Sequence, residues 1–213
     1  MKCDKDTLLL YAVTDRAWTG SQPLARQVEA ALQNGATCLQ LREKALDPAA
    51  FREEARQMAL LCGRYGVPLI INDNVEVALA CGAAGVHLGQ QDMPIAQARR
   101  MAGPDLILGA SAHTVQEALE AQAAGADYLG VGAVFSTSTK ADASPLSLTT
   151  LREICAAVSI PVVAIGGITE TNLLQLTGCG AAGVAVVSAI FGAPDPGAAT
   201  ARLVRLARQM TGL

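Results

Sequence analysis

Cys38-Leu39-Gln40-Leu41-Arg42-Glu43-Lys44 passes from apolar to charged within two turns of the β-pleat, and its reading decides the fold. Side chains alternate along a strand, so Leu39, Leu41 and Glu43 share one face while Gln40, Arg42 and Lys44 share the other. The leucine face must be packed, and the opposite face carries three polar donors, two of them cationic. Such a stretch is either a solvated edge strand or an anion site at the C-terminal end of a buried strand.

Working outward, similar pieces recur. Apolar runs at Leu8 to Val13, Val67 to Ile71, Val86 to Gly89, Leu106 to Ser111, Tyr128 to Phe135, Pro161 to Ile165 and Val184 to Val187 each end in small or polar residues. Between them lie stretches with helical spacing: Leu24, Val28, Ala31 and Leu32 after Pro23; Phe51, Ala55, Met58 and Cys62 in a helix from Pro48 to Tyr65; and, near the end, Ala199, Leu203, Leu206 and Met210. Shorter helices are expected through Val75 and Leu79, from Ile95 to Met101, before Gly125, from Leu148 to Val158 and through Leu173 and Leu176. Glycine-bearing pieces such as Cys81-Gly82-Ala83-Ala84-Gly85 and Gly180-Ala181-Ala182-Gly183 mark helix exits into strands. The alternation predicts eight parallel strands and eight helices, hence an α/β fold: a single (β/α)8 TIM barrel spanning 1–213 as one catalytic domain. Nearly continuous apolar strands fit burial on both faces. An open doubly wound sheet is the competing topology, but no Gly-x-Gly-x-x-Gly follows the first strand. In a closed barrel the 40–44 segment has no free edge, which leaves the anion site.

Composition agrees. Of 213 residues, 51% are hydrophobic but only 3% aromatic, which suits a core of small aliphatic side chains packed closely between helices and sheet. A net charge of −3 supplies no basic field for nucleic acid. The six cysteines show no CxxC pairing and read as small buried hydrophobes of a reducing compartment rather than a zinc site. No window resembles a signal peptide or a membrane span, so a soluble, cytoplasmic chain is expected. Homo-oligomerisation is left open.

Active sites of barrels lie at strand C-terminal ends, and polar residues collect there. Gln40, Arg42 and Lys44 follow the second strand, Asn72 and Asp73 the third, Asp92 the fourth and Ser111 the fifth. Thr137, Ser138, Thr139 and Lys140 follow the sixth, Gly167 the seventh, and Val187 and Ser188 close the eighth. Asp73 and Asp92 could be a helix N-cap and a turn former. As a pair facing cations they suit Mg²⁺ bridging to a diphosphate, because Mg²⁺ takes one or two carboxylates and completes its shell with water and phosphate oxygens. Gly166-Gly167 and Val187-Ser188 can offer backbone N–H groups to a phosphate monoester, or serve only as tight turns. The loop through Lys140 is either a lid or a solvated connection. His87, inside an apolar strand, reads as a hydrogen-bonded core histidine, and His113 as a substrate contact or, the favoured reading, part of a helix cap.

With these residues in view, the chain resembles the thiamine-phosphate synthase family. The likeness rests on Tyr11-Ala12-Val13-Thr14-Asp15, Gln40-Leu41-Arg42-Glu43-Lys44, Ile71-Asn72-Asp73, Gly85-Val86-His87-Leu88-Gly89-Gln90-Gln91-Asp92 and Gly109-Ala110-Ser111-Ala112-His113-Thr114. Thr137-Ser138-Thr139-Lys140, Ala164-Ile165-Gly166-Gly167-Ile168 and Val186-Val187-Ser188-Ala189-Ile190 extend it. The resemblance implies a transferase that joins a hydroxymethylpyrimidine diphosphate to a thiazole phosphate, or to its 2-carboxy form with loss of carbon dioxide, giving thiamine phosphate and diphosphate. It implies that Gln40, Leu41, Arg42, Glu43 and Lys44, with Asn72, Ser111 and Lys140, bind the pyrimidine diphosphate. Arg42, Lys44, Ser111 and Lys140 would be catalytic, and Asp73 and Asp92 would hold Mg²⁺. Thr137, Ser138, Thr139, Gly167, Val187 and Ser188 would bind the thiazole phosphate.

That chemistry needs no nucleophilic side chain, and none stands out. An aminopyrimidine stabilises a cation at its exocyclic carbon, so the protein has only to neutralise departing diphosphate and position the thiazole. Alternation places Glu43 off the Gln40, Arg42 and Lys44 face, which argues a scaffold role for its side chain. Two other readings use the same barrel: a thiazole tautomerase-like isomerase and a non-catalytic phosphate-ligand sensor. The complete set of Arg42, Lys44, Asp73, Asp92 and Lys140 counts against both. One departure stands out: relatives commonly show Pro-x-Gly-Leu after the loop, where this chain has Pro145-Leu146-Ser147-Leu148.

Overall fold

The computed structural model describes residues 3, 6–18, 22–137 and 146–213. Eight parallel strands close on themselves in chain order: β1 (Leu10–Val13), β2 (Cys38–Leu41), β3 (Leu69–Asn72), β4 (Gly85–Leu88), β5 (Ile107–Ala112), β6 (Tyr128–Val131), β7 (Val162–Ile165) and β8 (Gly183–Val186). The last pairs with the first, Tyr11 against Ala185, so the barrel has no open edge. The expected TIM barrel is therefore the fold.

Helices cover the outside: α1 (Leu24–Gln33), α2 (Pro48–Tyr65), α3 (Val75–Cys81), α4 (Ile95–Ala102), α5 (Val115–Ala123), α6 (Leu148–Ala157), α7 (Ser188–Phe191) and α8 (Pro196–Thr211). Their starts follow local chemistry. Asp47 caps α2 by accepting from the N–H groups of Ala49 and Ala50 at 2.9 Å, with Pro48 in the first turn, and Gly66 ends it in the left-handed region. Ser147, in place of the common glycine, caps α6 by accepting from Thr150 N–H at 3.0 Å. The departure thus supplies a side-chain cap. Among the described residues, no helix is long and apolar enough to cross a membrane.

Two expectations need correction. The β7–β8 connection is a single 3-10 turn, Leu173–Leu176, rather than a helix, because Gly178 and Gly180, both at positive φ, follow at once. The added element is α7, after β8. Strand β6 also stops at Val131 rather than Phe135. Beyond it, the N–H groups of Val134 and Phe135 turn across to the carbonyls of Ile165 and Gly166 at 2.9 and 3.0 Å, lacing this loop over the end of β7.

Alternation sorts the strand residues into two cores. Outward residues such as Leu39, Leu41, Ile71, Val86 and Leu129 pack under the helices. Inward residues, among them Leu8, Tyr11, Val13, Cys38, Ile70, Tyr128 and Val163, fill the barrel. The two tyrosines meet edge to face, ring centroids 6.0 Å apart. Tyr128 fits because its register partner on β5 is Gly109, where a Cβ would lie 2.2 Å from the ring.

At the strand N-terminal end, Arg99 ties two turns together. Its guanidinium donates to the carbonyls of Gly103, Leu106 and Gly125 at 3.1, 2.7 and 2.9 Å, and to Asp127 Oδ2 at 2.6 Å. Asp127 Oδ2 also accepts from Leu108 N–H at 2.8 Å. Arg99→Ala strips partners from a partly buried carboxylate and three carbonyls. It is expected to cost about 2–3 kcal/mol, which lowers Tm by about 5–10 °C in a chain of this size. A thermal melt checks this, with turnover at 25 °C unchanged because the cavity lies at the other end.

Candidate active site

At the strand C-terminal end a cavity of about 630 Å³ opens, large enough for two small molecules side by side. Gln40, Arg42 and Lys44 line it, as do Asn72, Asp73, Asp92, Ser111, Thr137, Gly167, Val187 and Ser188. The predicted residues that are described therefore converge, with two exceptions. Leu41 is fully buried under the helices, and Glu43 has a side chain only 2% exposed, turned away from the cavity. Ser138, Thr139 and Lys140 lie outside the described residues.

The anchoring of the 40–44 segment differs from expectation. β2 ends at Leu41, so the pleat does not carry the alternation to Lys44. The loop after β1 sets it instead. Thr14 N–H donates to Gln40 O at 3.0 Å, and Arg42 N–H donates to Thr14 Oγ1 at 3.0 Å. The Asp15 carboxylate receives the Arg42 guanidinium, while Arg16 bridges Glu43 Oε2 at 2.8 Å and Glu54. Burial raises the Glu43 carboxyl above its ordinary value; Arg16 opposes this and nearby Glu54 reinforces it. Glu43 is thus a tether for the segment. Asp15 and Arg16 were not singled out from sequence, although Asp15 lay within a quoted motif.

Asp73 is not the N-cap of α3. Asn74 is, accepting from Val77 N–H at 2.9 Å, and Asp73 sits at φ 65° with its carboxylate in the cavity, bonded to the Lys44 ammonium. Asp92 does serve the turn: its Oδ2 accepts from Gly89 N–H at 2.7 Å. The two carboxyl groups are close enough to shift each other's ionisation. Burial pushes Asp73 upward, but Lys44 and Asp92 outweigh it and hold its carboxyl below the usual value. Burial and the charge of Asp73 push Asp92 up. Such crowding of two hard oxygen donors is what a small divalent cation relieves. Among the described residues, no group of three His, Cys, Asp or Glu side chains converges.

Across the cavity the described residues of the rim are uncharged. Gly167 has φ 63°, and a Cβ there would lie 2.3 Å from Ser136 O, so the position requires glycine twice over, for conformation and for space. Asn172 Nδ2 donates to Gly167 O at 2.8 Å, fixing the turn. Val187 precedes the first turn of α7, which begins at Ser188. Gly167→Ala is expected to raise KM for a phosphate ligand at this rim about tenfold or more. Steady-state kinetics with that ligand varied checks this.

The floor holds residues that sequence reading assigned to the core. His87 is buried as expected, but it also lines the cavity, 3.0 Å from Ser111 Oγ and 3.0 Å from the Tyr128 hydroxyl. Tyr11 and Tyr128 were not singled out as site residues; the available signal was their inward parity with Gln40. His113 belongs to the α5 cap and also lines the cavity. Thr114 accepts from Glu117 N–H at 3.1 Å while His113 N–H donates back to Glu117 at 2.7 Å.

Comparison with known proteins bears on this geometry. A family model described as thiamine monophosphate synthase matches residues 10–190. The chain is 48% identical over 197 residues to the thiamine-phosphate synthase of Ruminiclostridium cellulolyticum, covering 92% of this chain and 94% of that one. To the thiamine-phosphate synthase of Lacticaseibacillus paracasei it is 49% identical over 188 residues, 88% of each chain. Among solved structures, thiamine phosphate pyrophosphorylase from Pyrococcus furiosus superposes with a TM-score of 0.90 at 42% identity, covering 97% of this chain and 98% of the other.

Proposed function

This chain belongs to the thiamine monophosphate synthase family and is a transferase of thiamine biosynthesis with thiamine-phosphate synthase activity, and from that premise we propose how its residues divide the work. The pyrimidine diphosphate lies with its ring on the Gln40 and Ser111 side and its diphosphate toward Arg42, Lys44 and Asn72. The thiazole phosphate lies opposite, its phosphate on the backbone N–H groups near Gly167 and Ser188, with Thr137 beside it. The roles that the sequence assigns to Ser138, Thr139 and Lys140 fall outside the described residues. The observation that carries the reading is the asymmetry of one cavity: cations and paired carboxylates on the β2–β4 rim, a neutral glycine and serine rim at β7–β8.

Asp73 and Asp92 would hold Mg²⁺, which would supply charge neutralisation for the departing diphosphate. Arg42 and Lys44 meet the negative charge that grows as the exocyclic C–O bond breaks. Both electrons of that bond leave with diphosphate, and the carbon becomes a pyrimidine-stabilised cation. The thiazole nitrogen then donates its lone pair to form the new C–N bond. The barrel contributes position and preorganised charge, and no side chain is consumed. The enzyme works in the cytoplasm.

Mixing both substrates with Mg²⁺ should yield thiamine phosphate and diphosphate in equal amounts. Retained binding of thiazole phosphate with neither product formed would sink the assignment.

A further inference from the structure

The site as read leaves three floor residues without a task. Gln40, Tyr11, Tyr128, His87 and Ser111 form an unbroken hydrogen-bond chain across the barrel mouth. Gln40 Nε2 donates to the Tyr11 hydroxyl at 2.9 Å, the two tyrosine hydroxyls are 2.9 Å apart, Tyr128 is 3.0 Å from His87 Nδ1, and His87 Nε2 is 3.0 Å from Ser111 Oγ. Both ends line the cavity.

Such a chain has a direction. A phenol has one proton to give, and with Tyr11 receiving from Gln40, the direction that pairs the Tyr11 proton within the chain sends it to Tyr128. Tyr128 then gives to His87 Nδ1, which must be bare. The proton of a neutral imidazole therefore sits on Nε2 and points at Ser111 Oγ, and the Ser111 hydroxyl proton is left for the cavity. Burial holds both tyrosines well above their ordinary ionisation range, so both keep the proton that the chain requires. Cys38, which also interacts with the Tyr11 hydroxyl, turns its S–H toward Pro68 O at 3.9 Å and so donates no proton into the chain. The links are also held sterically. Gly109 makes room for Tyr128, and Gly130 for His87, where a Cβ would lie 3.0 Å from the imidazole.

We propose that Tyr11, Tyr128 and His87 are positioning residues that lock His87 in its neutral Nε2–H tautomer and thereby fix Ser111 as a hydrogen-bond donor to the pyrimidine substrate. The proposal rests on the substrate assignment above. It makes the ends of the cavity floor interdependent: reversing the chain turns Ser111 from donor to acceptor and the near atom of the Gln40 amide from donor to acceptor. A planar heterocycle with a donor and an acceptor on its edge is then recognised by one concerted polarity rather than by two separate contacts.

Histidine-labelled ¹⁵N spectra of the ligand-free protein test the lock without any substrate. The chain has only two histidines, so His87→Asn assigns the signals. The expected pattern is a bare Nδ1 and a protonated Nε2; an Nδ1–H tautomer or a doubly protonated ring overturns the proposal. Tyr128→Phe keeps the ring and removes the proton given to Nδ1. It should mix the tautomers and lower kcat about 10–100-fold, with KM for thiazole phosphate unchanged. In a Ser111→Ala background the same substitution should change kcat less than about twofold, because the relay acts through that hydroxyl. Full multiplication of the two losses would show that Tyr128 acts elsewhere and overturn the relay. If the tautomer is as expected but the wild-type protein makes no thiamine phosphate, the substrate assignment fails and the relay stands.

Discussion

Asp92→Asn should lower kcat about 100–1000-fold and move the Mg²⁺ titration to much higher concentration. The substitution isolates charge from structure. The asparagine carbonyl can still accept from Gly89 N–H, the bond at 2.7 Å that closes the turn after β4, so the loop keeps its shape. What disappears is one of two carboxylates now crowded against each other. Without it, Lys44 and Asp73 form a closed ion pair with little residual negative charge to attract a divalent cation. Activity measured across a Mg²⁺ series, with chelator as the zero point, decides the matter. An unchanged titration curve would remove Asp92 from the metal site.

Arg42→Ala should cost a similar factor, about 100–1000-fold in kcat, with KM for the pyrimidine diphosphate also raised. The guanidinium is mostly buried, paired with Asp15, and aimed into the cavity by the Thr14 bond to its own backbone N–H. Removing it also leaves Asp15 without its partner where diphosphate would sit, so repulsion adds to the lost attraction. KM for thiazole phosphate should stay within about twofold, since its rim is across the cavity. An effect confined to thiazole phosphate would reverse the assignment of the two rims.

The barrel was legible because its cause is periodic. Eight apolar runs, spaced by amphipathic stretches and glycine exits, leave few ways to bury both strand faces. The carboxylates were legible too, since acids closely following buried strands are unusual. The direction of Arg42 and Lys44 was right for the wrong reason. The pleat ends at Leu41, and the contacts that orient them come from Thr14, Asp15 and Arg16, distant in sequence and adjacent only after β1 and β2 pair. The floor was legible only at its two ends, Gln40 and Ser111. Tyr11 and Tyr128 read as apolar strand residues, and His87 as a core residue. Their shared role depends on five strands presenting hydroxyl, imidazole and amide at one height, which no local pattern records.

The pairing of Gly109 with Tyr128 has a practical corollary. Their volumes add to a constant, because the ring occupies the space that a side chain on β5 would need. Enlarging position 109 alone overfills the floor, at about 1–3 kcal/mol or more, and trimming 128 alone leaves a void. A redesign that admits a bulkier heterocycle should therefore begin by shortening Tyr128 and keep Gly109. One meant only to fill that void should shorten the first and enlarge the second together. The bottom of the cavity is adjusted in pairs.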